Sequence, residues 1–415
     1  MSKGKVAIIA TLDTKGPEVA YLRDQLVRLG VDCLVVDTGI LGQPVGIVPD
    51  VSRSELAELG GMTLEELQNV GSRGKAVALM RRFVADFVWE KFLSGDVVAG
   101  ISVGGVGAVM GAAAIQTLPV GVPKIVIAPT ASGHHEFGPY VGTKDVMVIH
   151  SIVDILGVND VARTVFDNAA AAMKGMLDHG HALPPRAPET LTVASTMLGN
   201  TTKAVEALKA ELEKSGVETV VFHSSGVGGP SMEELARQGQ FVGVVDYTTN
   251  EIGDRRIGGI HDATPERLTV VGSLGIPQVV LPGCLDFAVF DAKTLPSELR
   301  NRKIYDHNPE YALVGYTHEE KRDIAREFAA KLNESTGQVH VIFPLGGLSI
   351  PAREGGVFFD PEGDEIMRST IQENLRPDIG FETSDSHIND LELGVLAAQR
   401  LLALLNIEKE KNRND

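Results

Sequence analysis

Asp96-Val-Val-Ala-Gly-Ile-Ser-Val-Gly-Gly-Val-Gly-Ala-Val-Met-Gly111 is the stretch from which the fold is read. Val97 to Val103 is an almost wholly apolar run rich in β-branched residues, as expected of a strand buried on both faces of a parallel sheet. Gly104 and Gly105 break it, and the small apolar residues from Val106 to Gln116 predict a close-packed helix. A strand, a glycine turn and a helix start in that order offer an anion both close backbone and unpaired N–H groups. The glycine spacing from Gly105 is G-x-G-x-x-x-G, one residue off the dinucleotide fingerprint. The next apolar run, Lys124 to Ala128, ends in Pro129-Thr130 with no acid for a ribose hydroxyl, and no G-x-x-x-x-G-K-[ST] occurs. Such a junction is also often no more than a tight turn.

Working outward, Val6 to Ala10 reads as the first strand, Thr11 to Pro17 as its loop, and Glu18 to Leu29 as a helix with Val19, Leu22, Leu26 and Leu29 on one face. Gly30 ends that helix and Cys33 to Val36 makes a second strand finishing at Asp37. Polar residues thus collect at the carboxyl ends of strands, where open α/β sheets bind ligands. Residues 40–74 leave the alternation and suggest either a lid over the site or a dimer arm. Strand Lys124 to Ala128 leads into Pro129-Thr-Ala-Ser-Gly-His-His-Glu136, rich in small donors. Three prolines within Leu183 to Pro188 mark a hinge.

Beyond the hinge the pattern restarts. Leu191 to Ala194, a loop through Thr202-Lys203, a helix, Gly216 and Thr219 to Phe222 repeat the order of Ala10, Thr14-Lys15, a helix, Gly30 and Cys33 to Val36. Gly121-Val-Pro-Lys-Ile-Val-Ile-Ala-Pro129 likewise has a partner in Gly275-Ile-Pro-Gln-Val-Val-Leu-Pro282. The expected fold is α/β: two Rossmann-like subdomains, each a mostly parallel sheet flanked by helices, related by an apparent internal duplication. The expected boundaries are 1–183, a hinge at 184–190, and 191–407.

Composition excludes several function classes. With 415 residues, 43% hydrophobic and 22% charged, the chain is globular and too long for one ordinary core. A net charge of −17 argues against binding nucleic-acid backbones or anionic membranes, although one local basic pocket suffices for a nucleotide. Two cysteines, Cys33 and Cys284, give no disulfide framework. No signal peptide is read at the start, and no apolar run reaches about 18 residues, so the expected address is the cytoplasm.

Among reactive side chains, His223, Asp246, His261, His307 and His387 lack metal-ligand spacing, so the protein itself is not expected to hold a metal. Mg²⁺ carried by a nucleotide would meet Asp13 or Asp37. Cys284, just after an apolar strand, is a candidate nucleophile with His223 or His307 as its base, against the plainer reading of a small packing residue. Ser102, Ser225 and Ser349 lack the G-x-S-x-G elbow. Phosphate recognition gathers more support. Thr11, Asp13, Thr14 and Lys15 on one turn, Gly104 and Gly105 on another, and Thr130, Ser132 and Gly133 on a third all lie at carboxyl ends of expected parallel strands.

Ile9-Ala-Thr-Leu-Asp-Thr-Lys-Gly16, Ser102-Val-Gly-Gly105, Pro129-Thr-Ala-Ser-Gly133, His223-Ser-Ser-Gly-Val-Gly-Gly229 and Ile350 to Asp360 together resemble the ATP-binding domain family of the tomato mosaic virus resistance protein and its bacterial relatives. The resemblance covers essentially the whole chain. It implies two α/β subdomains, ATP bound by the first through the three turns just named, and self-association as a homodimer. The plant protein has a further barrel-like domain after the matching region, and its antiviral role is not carried over. Three functions follow as expectations. One is an enzyme using Mg-ATP on an unidentified small metabolite, acidic ones included, held by His223, Asp246, His307, Asp360 and His387 of the second subdomain. Another is a nucleotide-gated dimeric module without turnover. The third is a lyase or hydrolase built on Cys284 and a histidine.

Overall fold

The computed structural model describes residues 4–105, 107–129 and 138–406. The chain divides into two compact units, Met1–Pro184 and Pro185–Asp415.

In unit 1 the apolar runs become strands β1 (Lys5–Ala10), β2 (Cys33–Asp37), β3 (Val97–Val103), β4 (Lys124–Ala128) and β5 (Met147–His150). They pair in parallel in the order β2-β1-β3-β4-β5. Helices cover both faces. Helices Leu12–Arg28 and Asp160–His179 bury Leu12, Leu22, Val165 and Phe166 against one face. Helices Arg73–Leu93 and Ala108–Ile115 bury Phe83, Val84, Met110 and Ile115 against the other.

One expectation changes here. Thr11 to Pro17 is not a loop: the first helix begins at Leu12 and contains Pro17. Its first amide, that of Leu12, donates to Asp37 Oδ1 at 3.1 Å, fixing the helix start directly at the end of β1. The chain around Val45 lies so close that a Cβ on Gly16 would sit 1.7 Å from the Val45 carbonyl oxygen, which only glycine allows. The inserted segment, in turn, is folded onto the unit. Helices Arg53–Leu59 and Leu64–Gln68 start with capping boxes, Ser52/Glu55 and Thr63/Glu66, and bury Leu56, Ala57 and Leu67 completely.

Unit 2 contains the parallel strands β6 (Thr192–Met197), β7 (Glu218–His223), β8 (Gly243–Thr248) and β9 (Gln278–Gly283). After β9 the chain inserts β10 (Phe287–Asp291), β11 (Ile304–Asp306) and β12 (Tyr311–Gly315), an antiparallel sheet in the order β10-β12-β11 that the sequence reading lacked. Strands β13 (Val339–Pro344) and β14 (Gly380–Ser384) then complete a six-stranded parallel sheet, β14-β13-β9-β8-β6-β7. Counted from each unit's own first strand, both parallel sheets run 2-1-3-4-5, with a sixth strand added in unit 2. Among the described residues, no helix is long and apolar enough to cross a membrane.

Candidate functional site

In a 2-1-3-4-5 sheet the chain turns in opposite directions from strands 1 and 3, which opens a crevice at their carboxyl ends. In unit 1 this crevice lies between β1 and β3, paired up to Ala10 and Val103. The helix after β1 packs on one face and the helix after β3 on the other. Their N-caps are Thr11 and Gly107, and neither makes a side-chain cap. A Cβ on Gly107 would lie 3.3 Å from Thr11 Cγ2 and 3.5 Å from its Oγ1, so the two helix starts are close neighbours. Among the described residues, a Cβ on Gly105 would meet nothing within 4 Å. Gly111 answers a packing need: a Cβ there would come 2.4 Å from Ser102 Oγ. Two helix N-termini therefore flank one small-residue opening, the first with its Leu12 amide held by Asp37 and Asp13 in its first turn, the second with no acid in its first turn.

The expected ligand residues fare differently. Thr11 and Thr14 lie together, their hydroxyls 3.2 Å apart. Asp13 Oδ2 accepts from the Gly42 amide at 3.2 Å, and the Lys15 ammonium donates to the Ile155 carbonyl. Asp37 is fully buried. Its Oδ1 accepts from Leu12 and Gly39, and its Oδ2 accepts from Arg53 Nε at 2.7 Å. It therefore holds the helix start in place and offers nothing to a nucleotide-bound metal. Thr130, Ser132 and Gly133 lie outside the described residues. The sequence reading missed Arg53, which is 4% exposed and donates through Nη1 to the Gly42 carbonyl, while its Nη2 has no partner among the described residues. A lone arginine in an insertion carries no spacing signal that would have found it.

The corresponding edge of unit 2 is closed by its own side chains. Where β6 and β8 end, Thr201 and Thr248 share a hydrogen bond of 2.9 Å between hydroxyls. Asn389 Oδ1 accepts from the amides of Lys203 and Ala204, capping helix Thr202–Glu213 from far along the chain. The glycine turn after His223 is filled in the same way: Glu251 Oε1 accepts from Gly226 at 2.9 Å and Gly229 at 3.1 Å. Beneath it Arg267, 1% exposed, binds Asp246 through two nitrogens, Glu251 through Nε at 2.6 Å and Glu233 at 3.5 Å. Burial pushes the Glu233 carboxyl up to about 7.

The six residues read as catalytic do not assemble. Among the described residues, no hydrogen bond or ion pair joins any two of them. His223 is exposed at the end of edge strand β7. Asp246 belongs to the Arg267 cage. His307 sits beyond β11 in the antiparallel insertion, its amide donating to the Tyr311 carbonyl. Asp360 caps helix Pro361–Asn374 and binds His318 and Lys321, which holds its carboxyl at about 2 against the opposing effect of burial. His387 Nε2 donates to the Ser349 carbonyl at 2.7 Å while Nδ1 accepts from the Asn389 amide, so the ring is a latch between two segments. Cys284 is completely buried among Leu198, Phe287, Leu313 and Phe358. Its φ of +57° is a conformation that favours glycine, held by its amide bond to the Leu348 carbonyl. Burial first, and then Asp286 and Asp254, push its thiol well above the ordinary value, the opposite of what a thiolate nucleophile needs. Among the described residues, no group of three His, Cys, Asp or Glu is placed to hold a metal ion.

Comparison with known proteins places this geometry. The sequence models of the uncharacterised protein family UPF0261 match end to end, its N-terminal domain over residues 4–182 and its C-terminal domain over 190–405. The chain belongs to the UPF0261 family. A UPF0261 protein of Clostridium tetani is 36% identical over 404 residues, covering 97% of this chain and 99% of the relative. The tomato (Solanum lycopersicum) ToMV resistance protein Tm-1(GCR237) is 33% identical over 94% of this chain. The tomato ToMV susceptible protein tm-1(GCR26) is 36% identical over 77% of it. The matches span 54% and 43% of those two plant proteins. The resemblance noted from the motifs is thus a family relationship across both units.

Proposed function

We propose that this UPF0261 protein binds ATP in unit 1, with the phosphates seated at the carboxyl ends of β1 and β3. The observation that carries the reading is the meeting of Thr11 with Gly107, where two helix N-termini converge on a glycine-lined opening. The Thr11 and Thr14 hydroxyls would orient phosphate oxygens, and Lys15, one turn along the helix, would exchange the Ile155 carbonyl for a phosphate. Asp13 is the carboxylate beside the opening that would face Mg²⁺ entering with the nucleotide. Calorimetric titration with Mg-ATP tests this. Lys15→Ala should cost about 1–3 kcal/mol of affinity through the lost charge-assisted contact. Unchanged affinity removes Lys15 from the site.

One observation favours nucleotide-gated self-association over turnover. Leu41, Val45, Val48 and Leu59 of the inserted segment are 73%, 53%, 85% and 64% exposed, and the same segment touches Asp13 through Gly42. Apolar surface next to a phosphate site suits a contact made between two copies once nucleotide is bound. Sedimentation velocity with and without Mg-ATP tests it: an ATP-dependent dimer lost in Val48→Ser supports the module, and a nucleotide-indifferent state rejects it. The metabolite reading of unit 2 gains no support from the five side chains named for it, which are engaged in fold contacts or lie apart.

A further inference from the structure

Unit 2 contains a cavity of about 340 Å³ above the carboxyl end of β13. Its floor is Phe343 with Gly346 and Gly347. The chain turns there at Gly347 (φ +113°), and a Cβ on Gly346 would lie 2.6 Å from the His387 amide nitrogen. Leu345 and Phe359 also line the cavity and stay 50% and 41% exposed, so its walls present apolar surface to solvent.

The charge around it is lopsided. Glu354, Asp364 and Glu365 line the cavity, and Arg368 is the cation among its lining residues. Arg368 is turned along its own helix, bound twice by Glu365 and once by Gln372. Lys321, just behind Asp364, is divided between Asp364 at 2.9 Å and Asp360 at 3.0 Å. Burial pushes the Asp364 carboxyl up even though Lys321 opposes the shift. An anion has little to gain here. The adjoining helix N-terminus is already capped by Asp360 and carries Glu362 and Asp364 in its first turn, so its partial positive charge is answered within the chain.

We infer that this cavity is a site for a small organic cation with an apolar body, its ammonium facing Asp364 and Glu354 and its body lying against Phe359 and Leu345. A cavity of this size with aromatic walls and a few convergent polar groups has the form of a small-molecule site, and an aromatic face beside carboxylates attracts a cation doubly. The inference lies wholly within unit 2 and stands apart from the nucleotide reading.

The test uses the full chain and three probes of similar shape: phenethylammonium, 2-phenylethanol and 3-phenylpropionate. Binding is followed by saturation-transfer NMR and titration at neutral pH. Phenethylammonium should bind more tightly than either analogue. Phe359→Ala, at an exposed position, should weaken it at least about threefold through the lost cation–π and apolar contact. Asp364→Asn, checked for folding by circular dichroism, should weaken it further while leaving 2-phenylethanol unaffected. Equal or tighter binding of the carboxylate, no effect of Phe359→Ala, or no saturation transfer at millimolar probe overturns the assignment.

Discussion

At the end of β1, Thr11 opens a helix whose Leu12 amide is held by Asp37, and across the crevice Gly107, which has no side chain, opens another. At the matching end of β6, helix Thr202–Glu213 is capped by Asn389, and the glycine turn after β7 closes around Glu251. The two sheets share the 2-1-3-4-5 order, so topology does not separate them. What separates them is how the donors at the strand ends are answered. Unit 2 supplies carboxylates and amides from its own chain and then balances three of those carboxylates with one buried arginine. Unit 1 fixes one helix start with Asp37 and leaves small residues where its two helix starts meet. A shared framework thus answers the donors at its two edges with different residues, and the proposed nucleotide site is placed in unit 1.

The largest way to break this comparison is to empty the cage. Arg267→Ala leaves Asp246, Glu251 and Glu233 buried without their cation, and removing one partner of a buried pair costs about 3–5 kcal/mol. Hydrogen exchange should show the loss in unit 2, and unchanged protection there would mean that the cage does not hold the edge closed.

A pH series comes next. Burial pushes Asp254 up to about 8 and Asp286 up to about 7. Unfolded carboxyls titrate near 4, so between about 4 and 8 the folded state holds protons that the unfolded state has released. The contribution of these groups is fully present below the unfolded value and declines as pH rises through that window. Unit 2 protection should therefore fall from pH 5 toward pH 8, and Asp254→Asn should flatten the fall. A rise over the same range contradicts the assignment.

The smallest effect is at the borrowed cap. Asn389→Ala should cost about 1 kcal/mol, read as faster exchange in the first turn of helix Thr202–Glu213. Indifference there would show that the cap is incidental.

The alternation of apolar runs and glycine stops revealed the parallel strands and their repeated order, because buried parallel strands must be continuously apolar. The antiparallel insertion was not read, although Phe287-Ala-Val-Phe-Asp291 is itself mostly apolar; its pairing with Tyr311–Gly315 depends on a loop of some length. Site roles were less legible still. Asp246 looks reactive at a strand end until Arg267 closes on it, and His387 looks like a base until its Nε2–H is seen donating to the Ser349 carbonyl and its Nδ1 accepting from Asn389. Asp37 needed Arg53 and Leu12 in view before its role as a clamp could be seen. In each case the deciding partner comes from another part of the chain, at a separation that spacing rules do not encode.

Hydrogen exchange of the full chain with and without Mg-ATP tests the central claim most directly. The account predicts nucleotide-dependent protection concentrated at residues 11–15 and 104–108, with the 223–229 turn unchanged. Protection centred on the second unit, or none at the first unit's two helix starts, contradicts it.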